Sequence, residues 1–198
     1  GFDNVVTIAN GTDMSEITTA IYALTSDTTL KFKGGINAIT LTTLANAMMA
    51  NDSVKIALDF SEATGITEWK TWLSTATTLY AISLPSTITS VQDGAFTYCT
   101  SLKAITIPSS IESYSSVNSN SSNSIIVNFA GTLEDWLNSS MELPDGYALY
   151  LNGEELSGEV TIPDSVATIK SKAFKNCSTI TSIVIPDTVT SIGGSAFY

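Results

Sequence analysis

Four prolines set the frame of this chain. The step from Pro85 to Pro108 is a period of 23, and the step from Pro163 to Pro186 repeats it. Around each proline the apolar residues recur at fixed offsets. The first unit has Leu79, Ile82 and Leu84 before Pro85, then Ile88, Val91, Ala95, Phe96 and Cys99. The second opens with Leu102, Ile105 and Ile107 before Pro108 and reaches Ile111. Val160, Ile162, Pro163, Val166, Ile169, Ala173, Phe174 and Cys177 repeat the pattern. Ile180, Ile183, Ile185, Pro186, Val189, Ile192, Ala196 and Phe197 repeat it again. A chain with this period folds as stacked copies of one supersecondary unit.

The chemistry of one unit follows from its residues. Alternating Ile-x-Ile or Ile-x-Leu puts both apolar chains on one face of a short strand. Proline ends the strand because it has no N–H for the ladder. Ser, Thr and Asp then turn the chain. The Ile/Val positions and the Ala-Phe pair close the opposite wall. A single unit leaves this apolar face bare, and only stacked neighbours cover it.

The N-terminal part carries a longer period. Leu30, Ile56 and Ile82 recur with a period of 26, as do Phe32, Leu58 and Leu84. This predicts that Leu30, Ile56, Ile82, Ile105, Val160 and Ile183 stack in one inward line. Two helical stretches lie between these strands. Ile17, Ile21 and Leu24 share one side of the first, after Thr12 or Asp13 as N-cap. Leu41, Leu44 and Met48 do so in the second. Val5–Ile8 reads as the first strand. Residues 69–79 are transitional: Trp72 and Leu73 stand one proline period before Ala95 and Phe96, and Ala76 stands one before Cys99.

The array is interrupted in the middle. Pro163 follows Pro108 by two full periods and nine further positions. The Ser/Asn tract over 113–124 reads as an exposed loop. Ile125–Phe129 alternates like a ladder strand. Thr132 and Asp135 form a capping box that opens a short helix through Trp136 and Leu137. Leu149, Tyr150 and Leu151 run into Asn152-Gly153, a two-residue hairpin signal. The nine extra positions are assigned to that hairpin.

Ile162-Pro163-Asp164-Ser165-Val166, followed by Ile169, Ala173-Phe174 and Cys177, resembles the BspA-like leucine-rich repeat. So do Phe129-Ala130-Gly131-Thr132-Leu133-Glu134-Asp135-Trp136 and Gly146-Tyr147-Ala148-Leu149-Tyr150-Leu151-Asn152-Gly153-Glu154. The resemblance is specific over residues 79–198 and extends over 30–78. The unit around Trp69–Ala76 departs from it, lacking the Ala-Phe pair and the cysteine. Tyr114 also departs, standing where the family prefers an aliphatic residue. The expected fold is an α/β repeat solenoid. It is a leucine-rich-repeat right-handed coil with a parallel β-sheet, helical N-terminal repeats and a β-hairpin insert. One domain spans 1–198: longer helix-containing repeats over 1–78, 23-residue repeats over 79–112, divergent repeats with the insert over 113–158, and 23-residue repeats over 159–198. The last of these is incomplete, since Ala196 and Phe197 have no following coil, and the chain is expected to continue past Tyr198, against the alternative that a neighbouring molecule covers the end.

Composition narrows the function. With 43% hydrophobic and 14% charged residues the chain is globular. Its 27 Ser and 28 Thr give it a surface of hydroxyls where charges are more usual. The net charge is −11 with only 8 Lys+Arg, too few cations to displace phosphate counterions, so nucleic acid is excluded as a partner. The same balance argues against anionic lipid. No apolar run approaches the ~20 residues of a membrane span, so no membrane insertion is expected of this segment.

Catalysis lacks parts. The absence of histidine removes the commonest general base. No Gly-x-Ser-x-Gly and no phosphate-binding glycine loop occurs. Glu154-Glu155 falls in a turn and reads as solvated charge. Scattered Asp and Asn lack the spacing of a dedicated calcium loop. The expectation is no enzyme, no cofactor and no metal. Cys99 and Cys177 share one offset, fourteen positions after a proline. About three coils at ~4.8 Å each place them ~14 Å apart, beyond the ~7 Å a disulfide spans. Two buried free thiols are expected. Trp72 and Trp136 read as packing, and Trp69 as the exposed one.

If Ile82 and Leu84 point inward, Ser83 points outward. The matching positions are Lys31, Ala57, Asp59, Thr106, Asn128, Thr161 and Val184. Lys31, Asp59, Ser83, Thr106, Asn128 and Thr161 are therefore the candidate binding face, against the alternative of a solvated, inert surface. The resemblance implies a surface or secreted protein of host-associated bacteria or some protists, associated with adhesion, and no catalytic residue carries over from it. The expected function is a non-catalytic interaction module at the cell surface or secreted, with any signal segment outside these residues. Its expected partner is a host or bacterial surface macromolecule, protein ahead of glycan. The alternatives are a structural spacer without its own ligand and a glycan-binding module with aromatic side chains exposed on one face.

Overall fold

The computed structural model describes residues 2–114, 125–143 and 147–198. The chain opens with β1 (Val5–Ile8), α1 (Met14–Tyr22), β2 (Thr28–Gly35), α2 (Ala38–Ala50) and β3 (Ile56–Thr64). Then come β4 (Glu68–Trp69), a 3-10 turn (Thr71–Leu73), β5 (Leu79–Ser83), β6 (Ser90–Val91), β7 (Ala104–Pro108) and β8 (Ser113–Tyr114). The middle holds β9 (Ile125–Ala130), α3 (Leu133–Asn138), β10 (Tyr147–Leu151) and β11 (Glu154–Glu155). β12 (Gly158–Thr161), β13 (Thr168–Ile169), β14 (Ile180–Val184) and β15 (Ser191–Ile192) complete it. The loop expected over 113–124 therefore begins as a strand at Ser113–Tyr114. Residues 115–124 lie outside the described part, as does Gly146.

The alternating residues build an eight-stranded sheet in the order β1-β2-β3-β5-β7-β9-β10-β11. All its pairings are parallel except the β10–β11 hairpin. Its inward line runs Leu30, Leu58, Ile82, Ile105, Val127 and Leu149, each paired with the next. All six are at most 2% exposed, so this row is the spine of the core.

Two parts of the expected line are corrected. Ile56 is not beside Leu30 and Ile82; it pairs with Thr28 and Leu79. The step from Leu30 to Leu58 is two longer than the expected period of 26, and the step from Leu58 to Ile82 is two shorter. The first crossover contains the 13-residue α2, the second the two-residue β4 and a short 3-10 turn. A slip of two positions keeps every side chain on the same face, so hydrophobic alternation does not detect it. Val160 and Ile183 do pair with each other, but in a separate ladder of β12 and β14. β11 folds back onto β10 and occupies the edge that a further parallel strand would use.

The opposite wall carries short ladders that the sequence pattern did not reveal. β4, β6 and β8 align Trp69, Val91 and Tyr114. β13 and β15 align Ile169 with Ile192. Strands this short cannot show a period.

The helices start where local chemistry dictates. The Asp13 carboxylate accepts from Ser15 N at 2.7 Å and caps α1, which buries Ile17 and Ile21. The Asn37 side chain accepts from Thr40 N and caps α2, with Leu41, Leu44 and Met48 fully buried beneath it. Buried Asn51 donates to Ile21 O and Leu24 O, satisfying carbonyls at the end of α1. Thr132 and Asp135 complete the capping box of α3. The hairpin turn uses Asn152 at φ 50° and Gly153 at φ 87°, the left-handed pair such a turn requires.

One hydrophobic cluster runs from Ile8 to Ala196. Phe32, Phe60, Trp69 and Phe96 follow one another through it with ring centroids 4.6, 5.5 and 6.3 Å apart. Trp69, expected to be exposed, is fully buried, because it occupies the inward position that Val91 holds one coil later. Among the described residues its indole nitrogen finds no hydrogen-bond acceptor, and its ring meets Trp72 edge-on at 5.8 Å. Trp72 is half-buried and Trp136 fully buried, as packing residues. In the last coil Phe197 stacks on Phe174 at 5.6 Å, yet stays 46% exposed on its other side.

Candidate binding face

Five of the six expected face residues share one row. Lys31, Asp59, Ser83, Thr106 and Asn128 are consecutive partners across β2, β3, β5, β7 and β9. Thr161 is not the sixth. It pairs with Val184 in the separate β12–β14 ladder, and Tyr150 takes the place beside Asn128. Tyr150 was discoverable: the step from Asn128 to Tyr150 equals the step from Thr106 to Asn128. Assigning its segment to an insert, and not to the ladder, hid it.

Ala57 belongs to the adjacent row, with Thr29, Ala81, Ala104, Ile126 and Ala148. Three successive alanines leave a recess in the sheet surface. A cavity of about 210 Å³ sits there, floored by Ala57, Ala81 and Ala104 and lipped by Asp59, Ser83 and Thr106. The Phe2 and Tyr80 rings meet at a tilt, with centroids 4.9 Å apart, and Phe2 N donates to Thr29 Oγ1.

The charges at one end of the row largely cancel. Lys31 Nζ lies 2.6 Å from Glu62 and 3.9 Å from Asp59, and Lys33 reaches the same Glu62 at 3.1 Å. The hydrogen bond from Lys31, then that from Lys33, lowers the Glu62 pKa, and the same contact raises that of Lys31. All four are exposed enough for water to screen them, so they orient one another's side chains more than they stabilise the fold. At the other end the hairpin is tied to the row. Gly153 N donates to Asn128 Oδ1 at 2.6 Å, and Asn128 Nδ2 donates to Thr106 Oγ1 at 3.3 Å. Between the ends the row offers neutral hydroxyl and amide groups.

The thiols are free. Cys99 is buried, donates to Leu73 O at 3.0 Å, and burial pushes its pKa up to about 12. Cys177 is half-buried, not buried as expected, because only one coil follows it. Burial first and Glu155 second push its pKa up to about 11. Neither is a ready thiolate at neutral pH. Glu154 and Glu155 are exposed in the hairpin. Among the described residues no group of three or more His, Cys, Asp or Glu could hold a metal ion, and no helix is long and apolar enough to cross a membrane.

A family model described as BspA type leucine-rich repeat region matches residues 65–141 and 150–198, in 6 copies. Residues 1–64, which hold α1 and α2, lie outside that match. No curated protein matches the chain.

Proposed function

This chain belongs to the BspA-type leucine-rich repeat family, and on that premise we propose that it is a non-catalytic binding module, displayed at the cell surface or secreted. It engages a host or bacterial surface macromolecule, a protein ahead of a glycan, through the row Lys31, Asp59, Ser83, Thr106, Asn128 and Tyr150. The observation that carries this reading is the alanine-floored recess lipped by Asp59, Ser83 and Thr106. Side chains of a partner can enter the recess and exchange hydrogen bonds with its hydroxyl lip. Each contact is small, but strands about 4.8 Å apart present many of them in fixed register. The near-cancelled charge of the row suits this in a chain of net charge −11. The tryptophans lend no support to a sugar-stacking platform, since Trp69 and Trp136 are buried.

The test is Ser83→Arg with Thr106→Arg, which fills the recess. Against a panel of matrix and cell-surface proteins, the expected result is loss of binding with an unchanged melting temperature. Binding that survives moves the site to the hairpin around Tyr147 and Asn152. Absence of any protein or glycan partner for the unmodified chain favours a spacer.

A further inference from the structure

The recess in the long sheet joins an apolar floor to a charged lip. Ala57, Ala81 and Ala104 are consecutive partners across β3, β5 and β7 and supply the methyls of the floor. Asp59, Ser83 and Thr106 form the next row on the same face, two residues further along each strand. Neighbouring strands lie about 4.8 Å apart. A carboxylate and two hydroxyls therefore line one side of an apolar strip.

The bonds already made by these oxygens leave room for a donor. Asp59 Oδ1 accepts from Ser61 N at 2.9 Å. Asp59 Oδ2 has Lys31 Nζ at 3.9 Å, but Lys31 makes its short contact, 2.6 Å, with Glu62, and Lys33 turns to Glu62 as well. Glu62 thus holds both lysines of this corner. Asp59 borders the recess with Oδ2 lacking a hydrogen bond among the described residues. Thr106 Oγ1 accepts from Asn128 Nδ2 and keeps a second lone pair.

We propose that the recess takes the side chain of one lysine of a protein partner, its methylenes on the alanine methyls and its ammonium between Asp59 Oδ2 and the Ser83 hydroxyl. This rests on the binding function proposed above and names the group that is bound. Lysine buries an apolar stem while its charge stays at a wet rim. The cavity of about 210 Å³ is smaller than the ~300–1,000 Å³ of pockets that enclose a whole small ligand, so it suits a side chain. An ammonium brings three N–H groups to the three oxygens of the lip. Arginine fits less well, because its fork favours both oxygens of one carboxylate and Ser61 N already holds Oδ1. A neutral or acidic side chain would cover Asp59 without a counter-charge. The net charge of −11 draws cationic surfaces towards the chain over longer range.

The test titrates the whole chain with N-acetyl-lysine methylamide at millimolar concentration and follows the methyl signals of Ala57, Ala81 and Ala104 by NMR. The norleucine counterpart, which has the same stem without the amine, is the control. The lysine probe should give saturable shifts at all three methyls, and the norleucine probe none. Asp59→Asn still offers Ser61 N an acceptor, and should weaken the lysine probe about tenfold, as for loss of a hydrogen bond between charged groups. Equal binding of the two probes overturns the proposal, as does an affinity that Asp59→Asn leaves unchanged or the absence of any saturable shift. Should Asp59→Asn not fold, the two probes on the unmodified chain decide. A panel protein separates this from the function it rests on. Binding abolished by Ser83→Arg with Thr106→Arg but untouched by Asp59→Asn overturns the lysine and leaves the face standing, whereas binding that survives the double substitution removes the face itself.

Discussion

The same unit occurs in the middle and in the last coil of this chain, with different outcomes. In the coil from Leu79 to Cys99, Ile88, Val91, Ala95, Phe96 and Cys99 are all at most 2% exposed. At matching offsets in the last coil Val189 is half-buried, Ile192 is 51% exposed and Phe197 is 46% exposed, while Ala196 stays buried. The residue types are nearly the same. What differs is the number of neighbours: the central coil is covered on both sides, the last on one. In a stacked array the worth of a core residue is set by the coils beside it.

The comparison can be broken most directly at the two phenylalanines. Phe96→Ala should cost about 3–5 kcal/mol, as expected for a fully buried ring. Phe197→Ala should cost less than about 1 kcal/mol, because its ring already faces water on one side. Urea unfolding at unchanged slope measures both. Equal losses would mean that the last coil is covered as well as the central one.

A smaller contrast separates two buried tryptophans. Trp136→Phe deletes the bond to Ala173 O and leaves a buried carbonyl short of a donor, worth about 1–3 kcal/mol. Trp69→Phe deletes an indole N–H that has no acceptor among the described residues, so its loss should be the smaller of the two. The reverse order would show that the edge-on Trp72 contact satisfies that nitrogen. Thr132→Ala removes half of the α3 capping box and should cost about 1 kcal/mol in the same assay, with α3 fraying seen by hydrogen exchange. No change would mean that packing of Trp136 and Leu137 alone holds the helix.

The least perturbing test uses the native thiols. Denatured protein should show two free thiols. In the folded protein at about pH 8 both should react more slowly than an ordinary cysteine, since burial raises both pKa values and keeps the thiolate fraction small. Cys177 should react before Cys99. The reverse order would contradict the difference in cover between the two ends.

Much of this molecule is local, and the local part is legible in the sequence. Strand alternation around Ile82 and Ile105, the cap at Thr132 and the Asn152-Gly153 turn each depend on residues a few positions apart and appear where the sequence places them, and of Thr12 and Asp13 it is Asp13 that caps α1. Parallel repeats also declare which face is inward, so five of the six candidate face residues fell in one row. The sixth did not, because a hairpin that joins the ladder and one that leaves it have the same turn signal. Leu58 in place of Ile56 beside Leu30 was equally hidden, since a slip of two positions preserves the face and changes only which coil lengths match. Trp69 became a core residue, and Lys170 came to lie over Trp136, through contacts between coils far apart in sequence. Periodicity describes one coil at a time, while register, burial at the ends and side-chain seats between coils exist only once the coils are stacked.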